Sequence, residues 1–204
     1  MSETLLTSSS PSDRQRSRGR LIVVTGPSGV GKGTLLAAIR RRHPELQMSI
    51  SATTRSPRPG EIDGVHYFFY TREQFESLRD RGQFLEWAEF AGNLYGTPLA
   101  PVKQRLQAGE DVILEIELQG ARQVARTWPE AFKLFIRPPS LAELERRLRE
   151  RGQDTEESIQ KRLATAELEL KAESEFDLAI VNDRIDRAVQ ELETAILDAT
   201  VAQH

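Results

Sequence analysis

Between Leu21 and Thr34 the chain reads LIVVTGPSGVGKGT, an apolar run that enters a glycine-rich loop ending on a lysine and then a threonine. Leu21, Ile22, Val23 and Val24 have the composition of a strand buried on both faces of a parallel sheet. Gly26, Gly29, Gly31 and Gly33 free the backbone so that successive N–H groups can converge on one anion, with Pro27, Ser28 and Val30 between them. Lys32 supplies a mobile positive charge, and the helical composition from Thr34 (TLLAAIRRR) places the positive end of a helix dipole behind the anion. The spacing Gly26-xxxx-Gly31-Lys32 fits the Walker A phosphate loop, except that Gly33 stands where that pattern asks for Ser or Thr. Thr34 is the nearest replacement hydroxyl for magnesium, acting directly or through a metal-bound water. The constraint on the fold is strong, because a strand, a phosphate loop and a helix in this order belong to an α/β architecture with a parallel sheet flanked by helices.

With 204 residues there is room for one core and inserted lobes. A net charge of -3 lacks the basic footprint of a binder of nucleic acid polymers. There is no cysteine, and His43, His66 and His204 are scattered, which argues against disulfides and against a zinc site. No apolar run approaches the roughly 20 residues that span a bilayer, so no membrane partner and a cytoplasmic location are expected. Residues 1–19, rich in Ser and Arg, are expected to form a disordered tail. Their composition resembles that of a transit peptide, but Glu3 and Asp13 count against targeting.

Met48 to Thr53 reads as a second strand, followed by a loop through Pro57, Pro59 and Gly60 in which Arg55 and Arg58 are fixed. His66 to Tyr70 alternates as a short strand, Thr71 and Gln74 form a capping box for a helix closed by Gly82, and Phe84 to Phe90 alternates again. Residues 53–98 are therefore expected to be an inserted lobe of short antiparallel strands and one helix. The parallel pattern resumes with a helix from Pro98 to Gly109 and a strand from Asp111 to Glu117, whose Glu115 and Glu117 share one face near the carboxyl end, where a doubly wound sheet holds its ligand. Lys133 to Ile136 supplies another strand. Ser140 with Glu143 caps a helix with an apolar stripe of Leu141, Leu144 and Leu148, and Arg147 and Arg151 are neighbours on one face of it. A charge-rich helical stretch from Asp154 to Glu175 carries Arg162. These two helices read either as a hinged flap or as an ordinary solvated surface. A last strand, Asp177 to Val181, and a last helix, Arg184 to Ala199, complete the pattern. The expected division is a core of 20–52, 99–139 and 176–204, the lobe 53–98 and a lid 140–175.

From about Gly19 to Ala199 these segments resemble the guanylate kinase family. The likeness is carried by GPSGVGKGT, SATTRSPRPGEIDGVHYFF, FLEWAEFAGNLYGTP, LEIELQG, RRLRERG and IVND in that order. The resemblance implies a P-loop nucleoside monophosphate kinase that phosphorylates GMP, and expectedly dGMP, with ATP and Mg2+ as cofactors, acting as a monomer or homo-oligomer. It implies that Arg55, Arg58, Tyr67 and Tyr95 bind the GMP phosphate, that Glu86 accepts the two adjacent donors of guanine, and that Ser51 and Thr97 contact the base. Lys32 with Arg147, Arg151 and Arg162 would stabilise the transferring group, Gly26 to Thr34 would hold the ATP phosphates, and Asn182 would lie beside adenine. Two positions depart from the family pattern. Gly33 replaces a common Ser, and Glu115 and Glu117 stand where Asp is common, Glu117 towards the base and metal-bound water. Adenine has no donor pair for Glu86, which argues against an AMP kinase. An intact loop and lid arginines argue against a non-catalytic interaction module of the same fold.

Overall fold

The computed structural model describes residues 18–152 and 154–198. Most of the expected disordered tail, and the end of the core from 199 onward, lie outside the described residues. A five-stranded sheet of order β2-β7-β1-β8-β9 forms the centre, built from β1 (Leu21–Thr25), β2 (Gln47–Met48), β7 (Val112–Glu115), β8 (Phe132–Arg137) and β9 (Leu178–Val181). Every pairing in it is parallel, so the α/β reading holds. β1 is central and buried throughout, and its alternate residues feed opposite layers. Ile22 and Val24 pack with Leu35 and Ile39 of α1 (Lys32–Arg42) and with Val189 and Leu192 of α7 (Ile185–Leu197). Leu21 and Val23 pack with Val102 and Leu106 of α3 (Leu99–Gln107) and Val124 of α4 (Leu118–Thr127).

A second, four-stranded sheet has the order β4-β3-β6-β5, formed by β3 (Ala52–Thr53), β4 (Phe68–Phe69), β5 (Phe84–Phe90) and β6 (Asn93–Pro98). The single strand expected from Met48 to Thr53 is therefore two strands in two sheets. Ser49 N–H still donates to Ile113 O of the central sheet at 2.9 Å, whereas Ser51 O already accepts from Phe68 N–H at 2.9 Å, so the change of sheet falls on Ile50. The expectation of antiparallel strands needs one correction, because β3 and β4 run parallel while the other two pairings are antiparallel. Between β4 and β5, α2 (Arg72–Asp80) starts on the expected capping box: Thr71 Oγ1 accepts from Gln74 N–H at 3.2 Å, and Gln74 Oε1 from Thr71 N–H at 2.9 Å.

Beyond β8 the chain forms α5 (Leu141–Glu150) and α6 (Glu156–Leu170), which share the small core of Leu144, Leu148, Ile159 and Ala166. Leu141 of the expected stripe stays 37% exposed, because it opens the helix beyond the reach of α6. The long helical stretch expected to Glu175 ends at Leu170, with a short 3-10 turn from Glu173 to Glu175 leading into β9. β7 stops at Glu115, and Glu117 is the N-cap residue of α4.

Candidate functional site

The loop after β1 is shaped by close neighbours. Gly31, the N-cap of α1, has φ 99°, and a Cβ there would lie 2.6 Å from Asn182 Nδ2. That amide nitrogen donates to Val30 O at 2.8 Å and so fastens the loop to the segment after β9. Gly29 has φ 91°, and a Cβ on it would meet Leu148 Cδ2 at 2.7 Å, so α5 rests on the loop. Lys32 is 8% exposed and folds back on the loop, its ammonium donating to the carbonyls of Gly26 and Pro27. The cation is thus held inside the loop by main-chain acceptors.

Three arginines converge from α5 and α6. Arg147 donates through Nε to Glu143 at 2.8 Å and through its guanidinium to Asn182 O at 2.9 Å. Arg151, the C-cap of α5, lines with Arg147, Val30, Gly31, Thr34 and Asn182 an open cavity of about 670 Å3. Arg162 donates to Ser28 Oγ at 2.7 Å and also engages Asp154. Arg162 and, through Val30 O at 3.5 Å, Arg147 reach the loop segment itself, while Arg146, Arg149 and Lys161 on the same helices form exposed i,i+4 ion pairs, so the two helices carry both a face towards the loop and a solvated face. Asn182 is 3% exposed, and while its Nδ2 is bonded to the loop its Oδ1 is a buried acceptor without a hydrogen-bond partner.

Carboxylates gather near Lys32. A Cβ at Gly33 would point to Glu115 Oε1 at 3.7 Å, whereas Thr34 lines the cavity beside the arginines. The Glu115 carboxyl is pushed up by burial, with Lys32 pulling it down and Glu117 raising it further. Glu169 of α6, which sequence reasoning did not single out, joins them: burial and the Glu117 charge push its carboxyl up, and Lys32 draws it down. Nothing distinguished it in a helix crowded with acids. The described residues contain no cluster of three His, Cys, Asp or Glu suited to hold an ion unaided.

The second sheet brings together the remaining candidates. Glu86 on β5 is 7% exposed, and its Oε1 accepts from Thr97 Oγ1 of β6 at 2.7 Å, the two being register partners. Burial pushes the Glu86 carboxyl up and the Thr97 hydrogen bond opposes that. Tyr67 and Tyr95 meet edge to face at 6.4 Å, and the Arg55 guanidinium lies 5.5 Å from the Tyr67 ring centroid. Ser51 precedes β3, while Arg58 sits exposed in the loop before β4. Sequence reasoning missed Glu61, which takes Arg55 bidentately at 2.9 and 3.0 Å and accepts from Arg58 N–H at 2.6 Å. The Arg55 guanidinium, and then the Arg58 amide, hold its carboxyl down at about 2. Its place in PRPGE, three residues after a second arginine, was the available signal.

The geometry is one of two polar faces, one of main-chain groups and a lysine, the other of arginine and tyrosine side chains in the same sheet as a buried carboxylate. Comparison with known proteins gives a matching result. The family model described as guanylate kinase matches residues 18–199. A guanylate kinase of Thermosynechococcus vestitus is 61% identical over 178 residues, covering 87% of this chain and 93% of that protein. One from Synechococcus sp. (strain JA-3-3Ab) is 60% identical over 179 residues, covering 88% and 82%. The crystal structure of guanylate kinase from Anaplasma phagocytophilum superposes with a TM-score of 0.67 at 31% identity, covering 89% of this chain and 86% of that one.

Proposed function

The chain belongs to the guanylate kinase family, and on that premise we propose how its residues divide the work of transferring a phosphoryl group from ATP to GMP. The activity is that of a nucleoside monophosphate kinase converting GMP to GDP. The core 20–52, 99–139 and 176–204 takes the donor, the lobe 53–98 the acceptor, and the lid 140–175 covers the transferring group. Arg55, Arg58, Tyr67 and Tyr95 clamp the GMP phosphate with planar forks and hydroxyl donors. Glu86, oriented by Thr97 and with Ser51 nearby in the same lobe, accepts the N1–H and exocyclic amine of guanine. The observation that carries this reading is a 93%-buried glutamate with a register-partner hydroxyl fixing one oxygen, since a 7%-exposed carboxylate needs donors and guanine brings two.

On the donor side the loop amides from Gly26 to Thr34 and Lys32 hold the phosphates. The unpartnered Asn182 Oδ1 fits an exocyclic amine, which adenine supplies. Lys32 would exchange its two loop carbonyls for phosphate oxygens, and Arg162 its Ser28 hydroxyl. Arg147, Arg151 and Arg162 then neutralise the charge of a loose transition state, in which the oxygen of GMP takes the γ-phosphoryl group and ADP leaves. No general base is required, because the attacking oxygen is already ionised. Bound Mg2+ would supply neutralisation of the phosphate charge. Thr34 would hold it directly or through water, and the nearby carboxylates Glu115 and Glu117 would accept hydrogen bonds from its waters. We place the activity among soluble nucleotides of the cytoplasm. Among the described residues no helix is long and apolar enough to cross a membrane.

A coupled ADP-release assay with GMP, dGMP, AMP, UMP and CMP tests the assignment. Turnover is expected with the guanine nucleotides and to be low with the others; equal turnover of AMP and GMP would remove Glu86 from the base-reading role.

A further inference from the structure

β5 is the terminal strand of the second sheet, yet its outward side at Glu86 and Trp87 is not left to water. α4, a helix of the core, packs against it there. Gln123 of α4 closes a two-bond ring on the Trp87 backbone, its Oε1 accepting from Trp87 N–H at 3.1 Å and its Nε2 donating to Trp87 O at 2.8 Å. The side-chain amide thus stands in for the peptide of a neighbouring strand. Three residues earlier, and so on the same face of the helix, is buried Gly120. A Cβ at this position would lie 2.7 Å from Glu86 Oε2, 3.2 Å from Cδ and 3.3 Å from Cγ. The Glu86 carboxylate therefore occupies the space that any other residue at 120 would fill. Glycine is among the weakest helix formers, so its presence in the first turn of α4 reads as a packing requirement.

We infer that Gly120 and Gln123 are positioning residues for base selection: Gln123 fixes the β5 backbone at the residue after Glu86, and Gly120 leaves the carboxylate the one orientation in which both oxygens can meet guanine's paired donors. The inference rests on the assignment of Glu86 above. Its physical content is that Thr97 holds Oε1 from inside the lobe while α4 bounds Oε2 from the core, so base selection is set by two bodies at once. A methyl group at 120 would push the carboxylate aside, and loss of the Gln123 amide would free the strand that carries it.

IMP makes the test specific, because hypoxanthine keeps N1–H and lacks the exocyclic amine. The ratio of kcat/KM for GMP to that for IMP reads bidentate acceptance directly, and a general loss of stability or of ATP binding leaves it unmoved. Gly120→Ala and Gln123→Met should each lower this ratio by about tenfold, the value of one displaced polar contact, while KM for ATP stays within about twofold of wild type. In a Glu86→Asp background, where the shorter side chain has already withdrawn from Gly120, adding Gly120→Ala should change the ratio by less than about twofold. Folded Gly120→Ala and Gln123→Met proteins that keep the wild-type ratio would overturn the inference. If Gly120→Ala does not fold, Gln123→Met decides alone. Glu86→Gln run alongside separates the two readings: an unchanged ratio in that variant sinks the base-reading role of Glu86 itself, whereas a collapsed ratio there with unmoved ratios in the α4 variants sinks only the positioning role.

Discussion

The phosphate loop and the second sheet each hold a cation, and they do so in different ways. In the loop, Lys32 is satisfied by the carbonyls of Gly26 and Pro27, a few residues away in sequence. In the second sheet, Arg55 is satisfied by the carboxylate of Glu61 and leans on the Tyr67 ring. The first arrangement consists mainly of backbone and tolerates variation in side chains, provided the glycine torsions and the lysine remain. The second is an assembly of side chains, with Arg55, Arg58 and Glu61 on the loop between β3 and β4, Tyr67 just before β4 and Tyr95 on β6. A main-chain site can serve any triphosphate, whereas a side-chain site can be selective, and the division matches a donor that is read by its phosphates and an acceptor that is read by its base.

Four substitutions would break or sharpen this contrast. The largest effect is expected for Glu86→Gln, which turns an acceptor into a donor against guanine; kcat/KM for GMP should fall by up to roughly 10,000-fold with ATP affinity and Tm near wild type. Because burial raises the Glu86 carboxyl above its usual 4.5, the acid limb of the wild-type kcat/KM profile for GMP should lie above pH 4.5. Loss of Tm instead of selectivity would make Glu86 a structural residue. Lys32→Met should come next, lowering kcat by roughly 100- to 1,000-fold or more while GMP binding measured at equilibrium stays intact, since the two faces are built separately. A matching loss of GMP affinity would erase the separation.

Arg147→Ala should lower kcat by roughly 10- to 100-fold and change KM for GMP little, because its phosphate contact is made in the reacting state. A larger change in KM than in kcat would move Arg147 to the acceptor side. The smallest effect belongs to Glu61→Gln, whose consequence is a pH dependence. The Glu61 carboxyl is depressed from 4.5 to about 2 in the folded chain, so its pairing with Arg55 contributes above pH 4.5 and is lost as the pH falls towards 2. The Tm difference between wild type and Glu61→Gln should therefore be present at pH 6 and shrink on acidification over that window. A constant difference would show that the pair is not what the variant removed.

The same contrast explains what could be read from the sequence. β1, the loop and α1 are contiguous, and each residue type there has a local reason, so the segment was legible residue by residue. The acceptor face was legible only through likeness to a family, because Glu86 and Thr97 become partners through strand register and not through spacing. Met48 to Thr53 looked like one strand because apolar pattern carries no information about which sheet a residue joins. β6 was hidden by Gly96 and Pro98, and α4 by Gly120, residues that local propensity excludes from regular structure and that packing retains. Glu61 left one local signal, its place three residues after Arg58, whereas Glu169 was lost among many acids because nothing local separates an acid near Lys32 in space from one that faces water.

Ile50, where the chain leaves one sheet for the other, has a mechanical consequence. Ser49 is still bonded to the central sheet and Ser51 already to the second, so a single residue serves as the incoming pivot of the acceptor lobe. The outgoing attachment is equally short: Pro98, its φ fixed by the ring at -60°, closes β6 and caps α3, and Leu99 N–H is bonded to Gln83 O at 2.9 Å. The two sheets are thus joined by two short crossings, at Ile50 and at the Pro98–Leu99 junction, and by the Gln123–Trp87 pair between α4 and β5. A change in the angle between the sheets would have to turn the torsions at both crossings and part Gln123 from the Trp87 backbone at the same time.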